Sequence, residues 1–222
     1  MQTPLMQTTG RESILRALLT GLRFSVLMLV LCGVIYSGAV RLLAEQLFPR
    51  QSGGSLVQQN GSAVGSELIA QPFPSARYFH GRPSAAKHDP MATTGSNLAP
   101  SNPALRERVA ADSARIQARE NVESKTIPVD LLAASGGGLD PHISPASAHL
   151  QAARVAQARQ WNLEKINALI DRHTEGPQWG LFGQPRVNVL LLNLALDAAT
   201  AQPALPMTDS IQNHQTEPSD DD

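Results

Sequence analysis

The chain has 222 residues and a mass of 23.7 kDa, which is enough for one domain with a hydrophobic core and some accessory segments. Its 18 Lys and Arg residues nearly balance 19 Asp and Glu residues, so the net charge of −1 gives no general attraction to nucleic acid, and no nucleic-acid partner is expected. The single cysteine, Cys32, excludes an intrachain disulfide and a zinc site built from cysteines.

An apolar segment near the N-terminus is the strongest local signal. The residues between Arg23 and Arg41 carry no charge, and another apolar run precedes them. A helix over residues 18–42 is long enough to span the roughly 30 Å of bilayer hydrocarbon. The sequence therefore predicts one transmembrane helix at 18–42 after an N-terminal segment at 1–17. A signal peptide cleaved near Ser37-Gly38-Ala39 is the second interpretation, although such apolar cores are usually shorter. A lipoprotein signal and the buried helix of a soluble protein fit less well.

Charge and small residues along this helix predict its orientation and one contact. Arg11, Arg16 and Arg23 precede the uncharged run, whereas Arg41 and Arg50 follow it, which predicts a cytoplasmic N-terminus and an extracytoplasmic C-terminal part. Gly33 and Ser37 are four residues apart on one helical face, where a neighbouring helix can approach closely. The alternative for Gly33 is that glycine is simply common in membrane helices.

Residues 43–199 are predicted to form one extracytoplasmic α+β domain. Asn60-Gly61 is a strong hairpin signal, because both residues tolerate the positive φ of tight turns. The flanking residues 55–57 and 63–70 are therefore predicted to be paired strands. Proline and glycine are too frequent from Pro49 to Pro145 for long helices through most of that stretch.

Two helices are predicted from their start signals. Asn102-Pro103 and Ser144-Pro145 each combine a capping side chain with a proline at the first helical position. They predict helices that end near residues 120 and 160.

The C-terminal third continues this pattern. Apolar residues from Leu163 to Ile170 predict a further helix, ended by Gly176-Pro177. The Val- and Leu-rich run over 186–199 predicts a strand that turns into a helix. Residues 200–222 carry acidic side chains but no Lys or Arg, which predicts a disordered acidic tail.

Catalytic motifs match poorly. Ser84 and Lys87 have the Ser-x-x-Lys spacing of serine hydrolases, but the Lys-Thr-Gly partner is missing, because Ile127 follows Lys125-Thr126. No lysine follows a glycine, which excludes a Walker phosphate loop. The histidines lack the spacing that places two imidazoles on one helix face, so no metal site is expected. A membrane-anchored extracytoplasmic serine hydrolase using Ser84 and Lys87 is kept as the alternative function.

Two loop regions hold more polar and turn-forming residues than a connection needs. In residues 78–84 and 95–103, Tyr78, Arg82 and Asn97 suit contact with a partner, since Arg and Tyr are enriched at binding hot spots. The alternative is a loop held in place by its own buried aromatic side chains. In residues 130–145, Ser135, Gly136 and two more glycines precede a helix start, where backbone N–H groups can approach an anion. A flexible connection is the other interpretation.

Several short motifs occur in a fixed order along the chain: Gln59-Asn60-Gly61-Ser62, Tyr78-Phe79-His80-Gly81-Arg82-Pro83-Ser84, Gly95-Ser96-Asn97-Leu98, Gly138-Leu139-Asp140-Pro141-His142-Ile143-Ser144-Pro145, Pro185-Arg186-Val187-Asn188-Val189-Leu190 and Leu192-Asn193-Leu194-Ala195-Leu196-Asp197. In this order, behind one N-terminal helix, they closely resemble the C subunit of the Kdp potassium-transporting P-type ATPase. The resemblance runs from about residue 18 to residue 197.

The resemblance implies a non-catalytic accessory subunit in the bacterial plasma membrane. Its expected partners are a channel-like potassium-binding subunit, a P-type ATPase subunit and a small single-helix subunit. The family is described as stabilising the assembly and as a catalytic chaperone that raises the ATP affinity of the ATPase subunit. Gln151 matches the proposed nucleotide contact, with Ser135 and Gly136 before it, so ATP is the expected cofactor. A third class of function is a simple anchored scaffold, independent of potassium supply.

Overall fold

The structure is a computed structural model that describes residues 10–59 and 61–201. These residues fall into two compact units, the first ending at Ser66 and the second beginning at Glu67. Residues 1–9 of the predicted N-terminal segment and residues 202–222 of the predicted acidic tail lie outside the described residues.

The first unit begins with a long helix. It consists of α1 (Gly10–Met28), a stretch of wider helical turns (Leu29–Tyr36) and α2 (Ser37–Leu47), followed by the short α3 (Pro49–Ser52). Phe48 leaves the helical conformation with φ −138°, as expected for a residue that precedes a proline. The helix therefore extends past residues 18–42 in both directions, because no proline interrupts it before Pro49.

Within the described residues, this is the one helix long and apolar enough to cross a membrane. The candidate span Ile14–Leu47 has 34 residues and a mean hydropathy of 2.2 in its most apolar window, none of which is buried inside the protein. At 1.5 Å per residue the span is about 50 Å long, which exceeds the hydrocarbon thickness. A single N-terminal apolar helix, as predicted, is thus a feature of the structure.

A hairpin completes the first unit. Strands β1 (Leu56–Gln59) and β2 (Ser62–Ser66) pair antiparallel, and Gly61 in the turn has φ +79°. The predicted hairpin is confirmed, but its second strand does not reach residue 70. The N–H of Ala70 instead donates to the carbonyl of Leu139 at 2.9 Å. This contact joins residues that are far apart in sequence, so no local pattern indicates it.

The second unit contains the remaining helices, namely α4 (Pro103–Glu120), α5 (Pro145–Arg159), α6 (Leu163–Arg172) and α7 (Val189–Ala201). The side chain of Asn102 accepts from the N–H of Ala104 at 3.0 Å, and the hydroxyl of Ser144 accepts from the N–H of Ser147 at 3.1 Å. Both predicted caps are confirmed, because each satisfies an N–H group at the helix start that has no partner within the helix.

Three short strands form an antiparallel sheet: β3 (His142–Ile143), β4 (Thr174–Glu175) and β5 (Arg186–Asn188). The central strand is β5, which pairs with β3 on one side and β4 on the other. The predicted strand-to-helix transition after residue 186 is confirmed. The prediction that α6 continues to Gly176-Pro177 is wrong, because Thr174 and Glu175 pair with β5.

The hydrophobic core of this unit lies between the helices and the sheet. It joins one loop aromatic, Phe79, to apolar side chains of every helix and of β3 and β5, chiefly Ile116, Ile143, Val155, Ile166, Ile170, Val187, Leu192 and Leu196. Phe79 is fully buried, although it lies in a segment without regular secondary structure. The predicted α+β class is confirmed.

Candidate functional site

Two side-chain amides hold the backbone of the loop at residues 78–84. The N–H of Phe79 donates to Asn193 Oδ1 at 2.8 Å, and Asn193 Nδ2 donates back to the Phe79 carbonyl at 3.0 Å. The N–H of His80 donates to Gln151 Oε1 at 2.8 Å, and Gln151 Nε2 donates back to the His80 carbonyl at 3.1 Å. We call these four hydrogen bonds the amide clamp. Both amide side chains are buried, so the clamp fixes the loop to α5 and α7.

A buried ion pair lies beside the amide clamp. Arg154 Nε contacts Glu120 Oε2 at 2.9 Å, and the side chain of Glu120 is completely buried. Arg119 pairs with the same carboxylate at 2.6 Å. Arg154 also donates to the carbonyl of Tyr78 at 2.9 Å. Burial lowers the pKa of Arg154, while the hydrogen bond from Arg154 to Glu120 acts in the opposite direction. This pair connects α4, α5 and the loop.

The aromatic ring of Tyr78 is anchored to the last helix. Its hydroxyl donates to Asp197 at 2.8 Å, which raises the pKa of Tyr78, and burial adds to this effect. Arg159 Nη2 contacts the other oxygen of Asp197 at 2.8 Å, and its guanidinium carbon lies 5.1 Å from the centre of the Tyr78 ring. Tyr78 is therefore half-buried and held at both its ring and its hydroxyl.

Arg82 is engaged with the segment that follows α4. Its Nη1 donates to Asp140 at 2.6 Å, and its other nitrogens approach the carbonyl of Ala133 at 3.3 and 3.4 Å. Burial tends to raise the pKa of Asp140, but hydrogen bonds from His142 and Arg82 outweigh it and lower the pKa to about 2. Asp140 is thus ionised at neutral pH. About a quarter of the Arg82 side chain remains exposed.

The Ser- and Gly-rich segment packs tightly against the loop. The Ser135 hydroxyl accepts from the N–H of Asp140 at 3.1 Å, and the N–H of Ser135 donates to the carbonyl of Pro83 at 2.9 Å. Gly138 has φ +75°, and a Cβ placed there would lie 2.7 Å from the Cβ of Ala86. This position therefore requires glycine for both its conformation and its close packing. Gly136 is exposed.

The imidazole of His80 is enclosed among arginines. Its Nε2 is buried and has no hydrogen-bond partner within residues 10–59 and 61–201. Burial lowers the pKa of His80 to about 3, and the positive charges of Arg119, Arg154 and Arg115 contribute. His80 is therefore neutral at physiological pH.

Two surface cavities flank the loop. One of about 740 Å³ is lined by residues that include Arg82, Asp140, His142 and Phe182. The other, of about 650 Å³, lies on the α4 side and is lined by residues that include His80 and Arg115. Arg82 contributes to both. We call the first cavity the Arg82–Phe182 cleft.

The structure brings some of the predicted site residues together and leaves others apart. Tyr78, Arg82, Ser135 and Gln151 belong to the second unit, where Gln151 contacts the backbone of the loop that carries Tyr78 and Arg82. No hydrogen bond joins Gln151 to the Ser135 segment among the described residues. Asn97 is exposed with φ +49°. Gly33 and Ser37 are exposed on the long helix of the first unit, where the Ser37 hydroxyl donates to the carbonyl of Cys32 at 3.0 Å.

The hydrolase alternative finds no support. The hydroxyl of Ser84 donates to the carbonyl of Gly138 at 2.7 Å and accepts from the N–H of His88 at 3.0 Å, so both of its hydrogen bonds are with backbone groups. The Lys87 side chain is exposed. In residues 10–59 and 61–201, no group of three or more His, Cys, Asp or Glu side chains is placed to hold a metal ion.

Some residues of this region were not predicted from the sequence to belong to the site. Asn193 closes half of the amide clamp, and Glu120 with Arg154 forms the buried ion pair. A weak signal exists for Glu120, because an acidic residue in the last turn of a helix is unfavourable unless a cation compensates it. The apolar residues Trp179, Leu181 and Phe182 were also overlooked, although they stand in a run without any charged residue.

Comparisons with known proteins identify the family of the chain. The profile of the family described as "KdpC: K+-transporting ATPase, c chain" matches residues 18–198. A Shewanella putrefaciens protein named "Potassium-transporting ATPase KdpC subunit" is 62% identical over 177 residues, covering 80% of this chain and 89% of the relative. A protein of the same name from Methylococcus capsulatus is 52% identical over 175 residues, covering 76% of this chain and 90% of its own. A protein of the same name from Xanthomonas campestris is 50% identical over 178 residues, covering 79% of this chain and 85% of the relative.

The matched region contains most of the long apolar helix and nearly the whole α+β unit, and it includes every element that forms the amide clamp and the buried ion pair. The resemblance inferred from short ordered motifs is therefore confirmed over residues 18–198. This chain belongs to the KdpC family of potassium-transporting ATPase subunits.

Proposed function

We propose that this chain is a non-catalytic accessory subunit that stabilises an ATP-driven potassium uptake complex. Its partners are a channel-like potassium-binding subunit, a P-type ATPase subunit and a small single-helix subunit. The proposal rests on the contacts that the polar side chains of the second unit make within their own chain. Those with catalytic potential, such as Ser84, Asp140 and Glu120, bind backbone groups or arginines of this chain. Because the chain belongs to the KdpC family, the complex that such a domain would stabilise is the potassium-transporting ATPase.

In this proposal the long helix anchors the chain in the bacterial plasma membrane. The N-terminus is cytoplasmic and the second unit is extracytoplasmic, which follows from the excess of arginines before the apolar span. The length and composition of the helix support the anchoring.

Cysteine labelling tests this topology. In a Cys32→Ser background, Thr3→Cys is expected to react with a membrane-impermeant reagent only from the cytoplasmic side, and Met91→Cys only from the outside. Met91 is a suitable position because it is 92% exposed. Labelling of Thr3→Cys from outside would contradict the orientation, and a mature N-terminus near residue 40 would show that the helix is a cleaved signal.

A helix contact is the second testable part. A Cβ at Gly33 would meet only a Leu29 methyl group at 3.5 Å, so the chain itself leaves space there. We expect Gly33→Leu to reduce co-purification of the ATPase subunits at least tenfold in detergent, because it separates two closely packed helices. Gly21→Leu is the matched control, since nothing lies within 4 Å of that position. Equal co-purification of both variants would assign the Gly33 and Ser37 face to lipid.

We propose further that the exposed parts of the loops at residues 78–84 and 95–103 contact a partner. Asn97 is exposed, and the Arg82 side chain is partly accessible. Tyr78 would contribute the exposed part of its half-buried side chain. Arg82 also pairs with Asp140 of its own chain. Replacing Arg82 would therefore disturb the loop itself as well as its contact with a partner.

Action as a catalytic chaperone for ATP is the finer part of the proposal. It assigns nucleotide contact to Gln151 with Ser135 and Gly136. The amide of Gln151 has intramolecular partners at both ends, namely His80, Ser147 and Arg154. A nucleotide would therefore have to displace part of the amide clamp.

A further inference from the structure

Arginines line the cavity of about 650 Å³ on the α4 side of the loop at residues 78–84. They are Arg82, Arg108, Arg115 and Arg119, and among the described residues the acidic part of the lining is Asp112 alone. We call this space the arginine cavity. A guanidinium group is well suited to bind oxyanions, because it offers paired N–H donors in a fixed plane. The composition of the lining therefore indicates an anion site.

The helical period places most of these arginines on one face of α4. Arg115 follows Arg108 by seven residues and precedes Arg119 by four, so the three side chains lie above one another along the helix. Arg82 comes from the loop at residues 78–84 instead. Positive charges from two separate elements thus meet at one cavity, which is more than the solvated basic face of a single helix.

The carboxylates around the arginine cavity do not balance its positive charge. Each of them is already shared with arginines, in the groups Arg108–Asp112–Arg115, Arg119–Glu120–Arg154 and Arg82–Asp140. Five guanidinium groups therefore share three carboxylates, which leaves an excess of two positive charges. Positive charges held this close repel one another unless an anion compensates them.

Two nitrogens of the lining residues still need an acceptor. Nε2 of His80 and Nε of Arg108 are buried, and neither has a hydrogen-bond partner in residues 10–59 and 61–201. The Nη1 of Arg108 is used for Asp112 and for the carbonyl of Leu132. A neutral imidazole can carry its proton on Nε2 and donate from there. Because both side chains line the cavity, a small rotation would bring these donors to an acceptor bound in it.

The size of the charge excess favours a phosphate group over other anions. A phosphate monoester carries about −1.5 to −2 charges at pH 7, which nearly cancels two positive charges. A carboxylate or a phosphodiester carries one negative charge and would leave the other positive charge uncompensated. The cavity volume of about 650 Å³ lies within the range of small-molecule sites, so it has room for a group attached to the phosphate.

We propose that the arginine cavity binds a phosphate dianion, either as inorganic phosphate or as the phosphate group of a small monoester. The ligand would join α4 to the loop at residues 78–84, and Arg115, with 66% of its side chain exposed, is the guanidinium most accessible to it. This site does not depend on the proposed accessory function. It is also separate from the nucleotide contact proposed for Gln151, because Gln151 does not line this cavity.

Calorimetric titration of the full chain in detergent with inorganic phosphate, at constant ionic strength, tests the site. We expect saturable binding of one phosphate per chain, and an affinity about tenfold or more lower in Arg115→Gln, which loses one guanidinium fork. Arg115→Lys keeps the charge without the fork and should lie between the two. Arg106→Gln is the matched control, because it removes the same charge from α4 at an exposed position outside the cavity. Absence of saturable binding, or an equal loss in Arg106→Gln, would overturn the proposal.

Esters of phosphate distinguish the source of the ligand. Methyl phosphate keeps both negative charges: its binding would identify a small monoester as a ligand, and its exclusion would identify free phosphate. Dimethyl phosphate has one negative charge and should bind about tenfold more weakly or less, so equal binding would contradict the dianion. If the wild-type chain binds no phosphate but Arg115→Gln loses co-purification with the ATPase subunits, the proposal is wrong and the cavity receives a carboxylate of a partner. That result would leave the accessory function intact.

Discussion

Replacing Glu120 with glutamine is expected to destabilise the chain by about 3–5 kcal/mol, because the substitution keeps the volume but leaves Arg154 without its counter-charge. The side chain of Glu120 is completely buried, and only 9% of the Arg154 side chain is exposed. At a few degrees per kcal/mol, the melting temperature should fall by roughly 10 °C. Thermal and urea denaturation of the full chain in detergent, followed by circular dichroism, measures both quantities.

An exposed ion pair provides the matched control for this experiment. Glu123 pairs with Lys125 at 2.7 Å, and both side chains are more than two-thirds exposed. Glu123→Gln should therefore change the free energy of unfolding by less than about 1 kcal/mol. A loss of similar size in both variants would show that the burial of Glu120 and Arg154 does not govern their contribution.

Gln151→Ala is expected to cost roughly 2–4 kcal/mol, because it leaves the N–H and the carbonyl of His80 without their hydrogen-bond partners. Asn193→Ala is the matched variant, since it removes the other half of the amide clamp and has no place in the nucleotide proposal. Denaturation of the full-length variants should give similar losses of stability.

The same two variants separate structural support from nucleotide contact. In the assembled complex, the ATP concentration for half-maximal activity is measured at a temperature where both variants are folded. If Gln151 contacts ATP, this concentration rises for Gln151→Ala and stays at the wild-type value for Asn193→Ala. An equal response of the two variants would contradict nucleotide contact through Gln151 and support a purely structural clamp.

Local sequence signals predicted the regular elements well. Asn102, Ser144 and the turn at Gly61 were identified from the chemistry of caps and turns, which depends on neighbouring residues only. The strands β3 and β4 have two residues each, too few for any periodic pattern. The end of α6 was misplaced for the same reason, since the pairing of Thr174 with Val187 is a contact between distant residues.

The candidate site was only partly accessible from sequence. Composition and the family resemblance indicated Tyr78, Arg82 and Gln151 as candidate site residues. Their hydrogen-bond partners are distant in the chain, namely Asp197, Asp140 and the backbone of His80. Hydrogen bonds between such residues leave no spacing signature. The exposed residues Trp179, Leu181 and Phe182 were missed because aromatic residues are read as core by default, and only the three-dimensional structure shows Trp179 on the surface.

The amide clamp also constrains the order in which the protein acquires its structure. The Phe79–Asn193 bonds join residues 114 positions apart, and the Tyr78–Asp197 bond spans 119 positions. A ribosome therefore completes the loop long before it makes the helix α7 that holds it. Until α7 emerges, Phe79 and the apolar faces of α4 to α6 lack their final cover, and the nascent domain depends on protection from aggregation. Its closure is consequently a late event that requires the last described helix.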